Sequence, residues 1–136
     1  MNFENKTRIA IAGIGGIGGY IGGKLAHYYA GKKNVEIIFI CRNPNRDFIK
    51  THGLELHTDH KVIHCYPDMV SADPAEIGTI NVLIICTKTY SVKQILEEYA
   101  GCLASDAVVI TTQNTVNGKE NILPFLIPGI TLLEGG

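Results

Sequence analysis

Seven glycines fall between positions 13 and 23, at Gly13, Gly15, Gly16, Gly18, Gly19, Gly22 and Gly23, directly behind the short apolar run Thr7-Arg8-Ile9-Ala10-Ile11-Ala12. The run reads as a buried β-strand, and the apolar spacing after residue 20 reads as a helix. Between them, Gly13-Ile14-Gly15-Gly16-Ile17-Gly18 fits G-x-G-x-x-G at a strand-to-helix turn. In that pattern the first glycine permits the tight turn and the second lets a pyrophosphate approach the backbone. The third lets helix and strand pack closely. The helix start then offers free N–H groups and a partial positive charge to an anion. The plain alternative is a glycine-rich turn that serves packing alone.

The rest of the chain repeats the alternation of strand and helix. A helix is expected over about residues 19–32, ending near Gly31 and two lysines. A nearly all-apolar strand over residues 35–41 follows, as parallel strands covered on both faces tend to be. Asn43-Pro44 breaks it, and a short helix is expected over residues 46–52. Residues 54–58 and 61–65 alternate apolar and polar around Asp59-His60 and read as a partly exposed hairpin. Residues 67–79 read as loop with a helical turn. A third buried strand is expected over residues 81–86. A helix over residues 91–103 follows, with Ser91 as N-cap and Val92, Ile95, Leu96 and Tyr99 on one face. Residues 107–111 read as a fourth strand, residues 112–119 as polar loop, residues 120–126 as a short helix and residues 130–133 as a last strand. The expected fold class is α/β: a Rossmann-type, doubly wound, mostly parallel sheet with helices on both faces, one domain over residues 1–136.

Composition narrows the function classes. A net charge of −1, with 18% charged residues, gives no electrostatic case for nucleic acid or an anionic membrane. No segment reaches the roughly 18 apolar residues of a membrane span, and the N-terminus lacks the pattern of a signal peptide. Cys41, Cys65, Cys86 and Cys102 show no C-x-x-C pair, which points to a reducing, cytoplasmic setting rather than disulfides or zinc. The histidines form no metal cluster. His57 is expected on a solvent-facing strand surface. Cys65 is expected to be exposed, without an identifiable base, and no catalytic residue is assigned.

In a doubly wound sheet, ligands sit beyond the carboxyl ends of the strands. The second strand exits into Cys41-Arg42-Asn43. An NAD site places a carboxylate there to accept from the ribose hydroxyls; here Arg42 offers paired donors suited to a phosphate, which points to NADP, the plain alternative being a solvated loop arginine. The third strand exits into Thr87-Lys88-Thr89, where Lys88 either contacts cofactor or a carboxylate substrate or is an ordinary surface lysine at a strand end. The fourth exits into Gln113-Asn114, where Asn114 can donate to a substrate carbonyl or to the nicotinamide end.

Together these residues resemble the N-terminal domain of the ketopantoate reductase family. The matching pieces are Ile11 to Gly18, Arg42, Thr87-Lys88-Thr89-Tyr90, and Gln113-Asn114 ahead of Gly118, in an order and spacing that cover nearly the whole chain. The resemblance implies an NADPH-binding Rossmann domain and hydride transfer to the ketone of a 2-oxo acid, on the way to pantothenate. It implies that Gly13, Ile14, Gly15, Gly16, Ile17, Gly18, Arg42, Thr87, Lys88 and Asn114 contact the cofactor, with Lys88 and Asn114 also facing the substrate. Thr115 stands where the family usually carries glycine. In the family a second, helical domain supplies a lysine as general acid. With the sequence stopping at Gly136, the chain alone is expected to bind cofactor but to reduce the ketone poorly or not at all. A homodimer is expected, through apolar surface near residues 130–133. A bare NADP-sensing or interaction module without catalysis is the alternative.

Overall fold

A computed structural model describes residues 6–87, 89–111 and 131–134, without the side chains of residues 16, 17, 89–91 and 131–134. Its centre is a six-stranded, fully parallel sheet. β1 (Thr7–Ala12), β2 (Val35–Ile40), β5 (Met69–Ser71), β6 (Ile80–Ile85), β7 (Leu103–Thr111) and β8 (Thr131–Glu134) lie in the order β5-β2-β1-β6-β7-β8. This is the 3-2-1-4-5-6 order of the Rossmann fold. β1 pairs with β2 from Thr7↔Val35 to Ala12↔Ile40, and with β6 from Ile9↔Val82 to Ala12↔Ile85.

The strands are apolar on both sides because both faces are covered. Ala10, Ala12, Ile38, Ile40, Leu83 and Ile85 pack with Ile77, Leu96 and Tyr99 in one core layer. Their neighbours Ile11, Ile37, Phe39 and Ile84 pack with Ala26, Ile49 and Leu56 in the other. The period-two pleat thus sends alternate residues of one strand into two different cores. At the amino ends of the strands, Arg8 fastens the sheet. Its Nε lies 2.9 Å from Glu36, and its Nη1 donates to the carbonyls of Ile77 (2.5 Å) and Thr79 (2.6 Å).

Helix α1 (Gly16–Tyr28) starts three residues earlier than the glycine content suggests and ends earlier too, before Gly31 at φ +78°. Poor helix propensity at Gly16, Gly18 and Gly19 yields to tertiary packing. α2 (Asn45–His52) is followed by an antiparallel hairpin, β3 (Leu54–His57) and β4 (Val62–Cys65), as the alternation indicates. The hairpin lies on α1, and a Cβ at Gly23 would meet Leu54 at 3.4 Å and the Cys65 sulfur at 3.6 Å. That cover corrects the expectation for Cys65, which is 1% exposed, while His57 faces solvent. Burial raises the Cys65 thiol pKa, with Lys24 opposing it, so the sulfur is held as a neutral core atom.

The segment expected as loop over residues 67–79 contains both β5 and a short helix, α3 (Pro74–Ile77). α4 (Thr89–Tyr99) begins before Ser91, so Ser91 is inside the helix rather than its N-cap, and a 3-10 turn at Ala100–Cys102 leads into β7. On α4, Val92, Leu96 and Tyr99 are buried and Ile95 is partly buried, the face expected from their spacing. β7 starts at Leu103, earlier than expected, with an irregularity opposite Ile80 and Val82. The short helix expected over residues 120–126 lies outside the described residues. β8 occupies the place of the expected last strand, but the side chains of the expected apolar patch are not among those described.

Candidate functional site

The order of the strands reverses between β1 and β6: the chain leaves β1 toward β2 on one side and later fills β6 and β7 on the other. Crevices form at such switch points, beyond the carboxyl ends of the strands. A cleft of about 750 Å³ opens there. Gly13 and Ile14 line it from the end of β1, Ile40, Cys41 and Arg42 from the end of β2, Ala72 after β5, and Thr87 after β6. Asn45 of α2 and Gln94, Ile95, Glu97, Glu98 and Tyr99 of α4 complete its walls.

The glycine turn is built as its pattern requires. Gly13 sits at φ +92°, which side chains rarely adopt, and a Cβ there would also press on Thr87 Cγ2 at 2.9 Å. A Cβ at Gly18 would fall onto the carbonyl oxygen of Gly13, so the helix can approach the strand only without one. At Gly15 a Cβ would meet nothing within 4 Å, so the space above it is open. Gly22 and Gly23 serve a different purpose. They seat α1 between the Phe39 ring and the hairpin, so for them the packing reading is the correct one.

The first turn of α1 is left free for an anion. Gly15 stands at the N-cap with no side-chain cap, and no acidic residue occupies the first turn. Near the starts of two later helices a side chain does accept from a backbone amide. Asp73 caps α3 by accepting from the Ala75 amide at 3.0 Å, and Asn43 accepts from the Asp47 amide at 3.0 Å in α2. The Gly18 amide donates to the Gly15 carbonyl at 3.0 Å, and the amides ahead of it carry the partial positive charge of a helix start, about half an elementary charge. The Thr87 hydroxyl supplies a second sign. Its Oγ1 is buried and has no hydrogen-bond partner among the described residues. A buried hydroxyl left unpaired costs about 1–3 kcal/mol. A polar ligand in the cleft would satisfy it, and the donor set fits a dinucleotide.

Arg42 reaches over the cleft with its side chain 74% exposed, and its Nη2 lies 3.2 Å and 3.3 Å from the two carboxylate oxygens of Glu98. Cys41 lines the same wall, and burial pushes its thiol up against the opposing effect of Arg46, so it is a neutral thiol rather than a nucleophile. Below them the Tyr99 hydroxyl donates to the Ala72 carbonyl at 2.6 Å, tying the end of α4 to the strand side of the cleft. Burial, with Glu98 adding to it, pushes the Tyr99 pKa up to about 12. The folded state therefore holds this proton more tightly than the unfolded chain. Its contribution to stability is complete below pH 10 and declines as the pH rises to about 12. Urea unfolding across that window is expected to show a steeper alkaline loss for the native chain than for Tyr99→Phe.

Of the residues singled out from the sequence, the structure brings Gly13, Ile14, Arg42 and Thr87 to one cleft and places Gly15, Gly16, Ile17 and Gly18 at its glycine turn. Lys88 and Asn114 lie outside the described residues. Glu97, Glu98, Gln94 and Tyr99 are the additions. Only Tyr99 carried a signal, its place on the apolar face of a helix. Among the described residues no group of His, Cys, Asp or Glu is placed to hold a metal, and no helix is long and apolar enough to cross a membrane.

The strand order and the uncapped glycine turn at its switch point define a Rossmann-type domain. Comparison with known proteins agrees. The family model described as ketopantoate reductase PanE/ApbA matches residues 9–135. The chain belongs to that family. An uncharacterized oxidoreductase of Bacillus subtilis, YkpB, is 31% identical over 115 residues, which is 85% of this chain and 36% of that protein. The 2-dehydropantoate 2-reductase of Mesorhizobium japonicum is 31% identical over 109 residues, 80% of this chain and 32% of that protein. The crystal structure of 2-dehydropantoate 2-reductase from Porphyromonas gingivalis superposes with a TM-score of 0.79 at 26% identity, over 96% of this chain and 52% of that one. The chain spans about a third of the length of the curated relatives it matches.

Proposed function

We propose that this chain is the NADPH-binding domain of a 2-oxo acid reductase similar to 2-dehydropantoate 2-reductase. The observation that carries the reading is the open, uncapped turn at Gly15, directly after Gly13 and Ile14 of the cleft, where the buried Thr87 hydroxyl has no partner among the described residues. In this reading the turn from Gly13 to Gly18 takes the pyrophosphate, with the first N–H groups of α1 as donors. Thr87 satisfies its hydroxyl on the bound dinucleotide. Arg42 takes the 2′-phosphate, for which a guanidinium is suited and a strand-end carboxylate would not be. Lys88 and Asn114 follow from the resemblance alone and are assigned to the nicotinamide end and the 2-oxo acid.

Bound there, the cofactor supplies a hydride to a ketone carbon. The chain's own residues hold and orient it. A ketone reduced in this way leaves an alkoxide that must be protonated, and we assign that proton donor to none of the described residues. The family relationship supports an enzyme domain acting on a small molecule, and we place it in the cytoplasm. A homodimer through apolar surface near residues 130–133 belongs to the same proposal.

The test of the phosphate assignment is Arg42→Asp, with NADPH and NADH titrated in parallel by cofactor fluorescence. The variant is expected to lose roughly thirtyfold or more in NADPH affinity, since it exchanges a charge-assisted contact for repulsion. NADH affinity should change by less than about threefold. Equal losses for both cofactors would remove Arg42 from the 2′-phosphate.

A further inference from the structure

Glu98 is a charged group of this cleft that the reading above leaves without a role. It comes from the last turn of α4 and meets Arg42 across the cleft, with both carboxylate oxygens within 3.3 Å of one guanidinium nitrogen. Its position is fixed from behind, because the neighbouring Tyr99 is buried and anchored to the Ala72 carbonyl. Two further features set it apart from an ordinary surface acid. Glu97 and Glu98 sit at the carboxyl end of a helix with no basic residue in its last turn, where negative charge is unfavourable. Both also line the same cleft as the glycine turn.

We propose that Glu98 is a specificity-determining residue of the site, setting how strongly it prefers a 2′-phosphorylated cofactor. The proposal rests on the reading of Arg42 as the residue beside the adenosine ribose. In the free domain Glu98 occupies Arg42, so an arriving phosphate must displace or share a contact already made, next to a like charge. An unphosphorylated ribose meets no such repulsion, and its hydroxyls can donate to the same carboxylate. The acceptor that a strand-end Asp or Glu supplies in an NAD site is thus supplied here from the opposite wall, by α4. The pair Arg42–Glu98 presents donor and acceptor together, and Glu98 narrows the preference that Arg42 creates.

The test is a double-mutant cycle read as a selectivity ratio, Kd for NADH over Kd for NADPH, on the whole chain. Glu98→Gln keeps the shape and removes the charge. It is expected to raise the ratio by about threefold to tenfold, mainly through tighter NADPH binding. In an Arg42→Ala background the same substitution is expected to raise the ratio by less, because the competition for Arg42 is gone and only the direct repulsion and the ribose contact remain. An unchanged ratio in Glu98→Gln, with native NADPH binding intact, would overturn this inference and leave the proposed function standing. A rise just as large without Arg42 would overturn it too, as an effect of charge that owes nothing to the pair. A native chain that binds neither cofactor would overturn both readings.

Discussion

Gly18→Ala is expected to destabilise the fold by about 3 kcal/mol, at the upper end of overpacking costs. For a chain of this size that is a fall of about 10 °C in melting temperature. The cause is steric and involves main chain rather than a yielding side chain. The added Cβ would fall onto the Gly13 carbonyl oxygen and press on the Cys86 Cβ at 3.0 Å. Neither can swing aside, because Gly13 is held at positive φ and the Cys86 amide donates to the Ala12 carbonyl at 2.8 Å. Relief requires α1 to slide off β1, which loosens its packing on Phe39 and on the hairpin. Thermal melting checks this, and a shift below about 2 °C would mean that helix and strand are not locked at Gly18.

Gly15→Ala should do the opposite. Gly15 has φ −155° and ψ 155°, extended backbone open to any residue, and a Cβ there touches nothing within 4 Å. Stability should stay within about 0.5 kcal/mol of the native chain. NADPH affinity should fall by roughly thirtyfold or more, because a methyl group holds the pyrophosphate away from the first amides of α1. A single hydrogen bond to a charged group is worth about 1.5–3 kcal/mol, enough for that loss. The two alanine variants, three residues apart, thus separate the two uses of one glycine run. One damages the fold and the other only the site.

Much of this architecture is legible in the sequence because its signals are local. β1, β2 and β6 each end in four consecutive apolar residues, and the structure shows why: each strand feeds two cores at once. The hairpin is legible through alternation, including the outward place of His57. Cys65 misleads because its burial comes from α1 packing over the hairpin, a contact remote in sequence. β5 escapes for a related reason. Only Met69, Val70 and Ser71 form it, and a three-residue strand at a sheet edge carries too little periodicity to stand out between Pro67 and Pro74. In the cleft, the glycine pattern and Arg42 are legible because their chemistry is tied to a strand exit. Glu98 is not, since an acidic residue on a helix is ordinary until folding sets it against a partner 56 positions away.

The most direct measurement of the central claim is an equilibrium titration of the native chain with NADPH, followed by cofactor fluorescence, beside Gly15→Ala at matched thermal stability. Saturable binding of one NADPH per chain, lost in Gly15→Ala while its melting curve stays in place, is the predicted result. No binding by a folded native chain, or equal binding by the two proteins, would contradict the assignment and leave the glycine turn a device of packing alone.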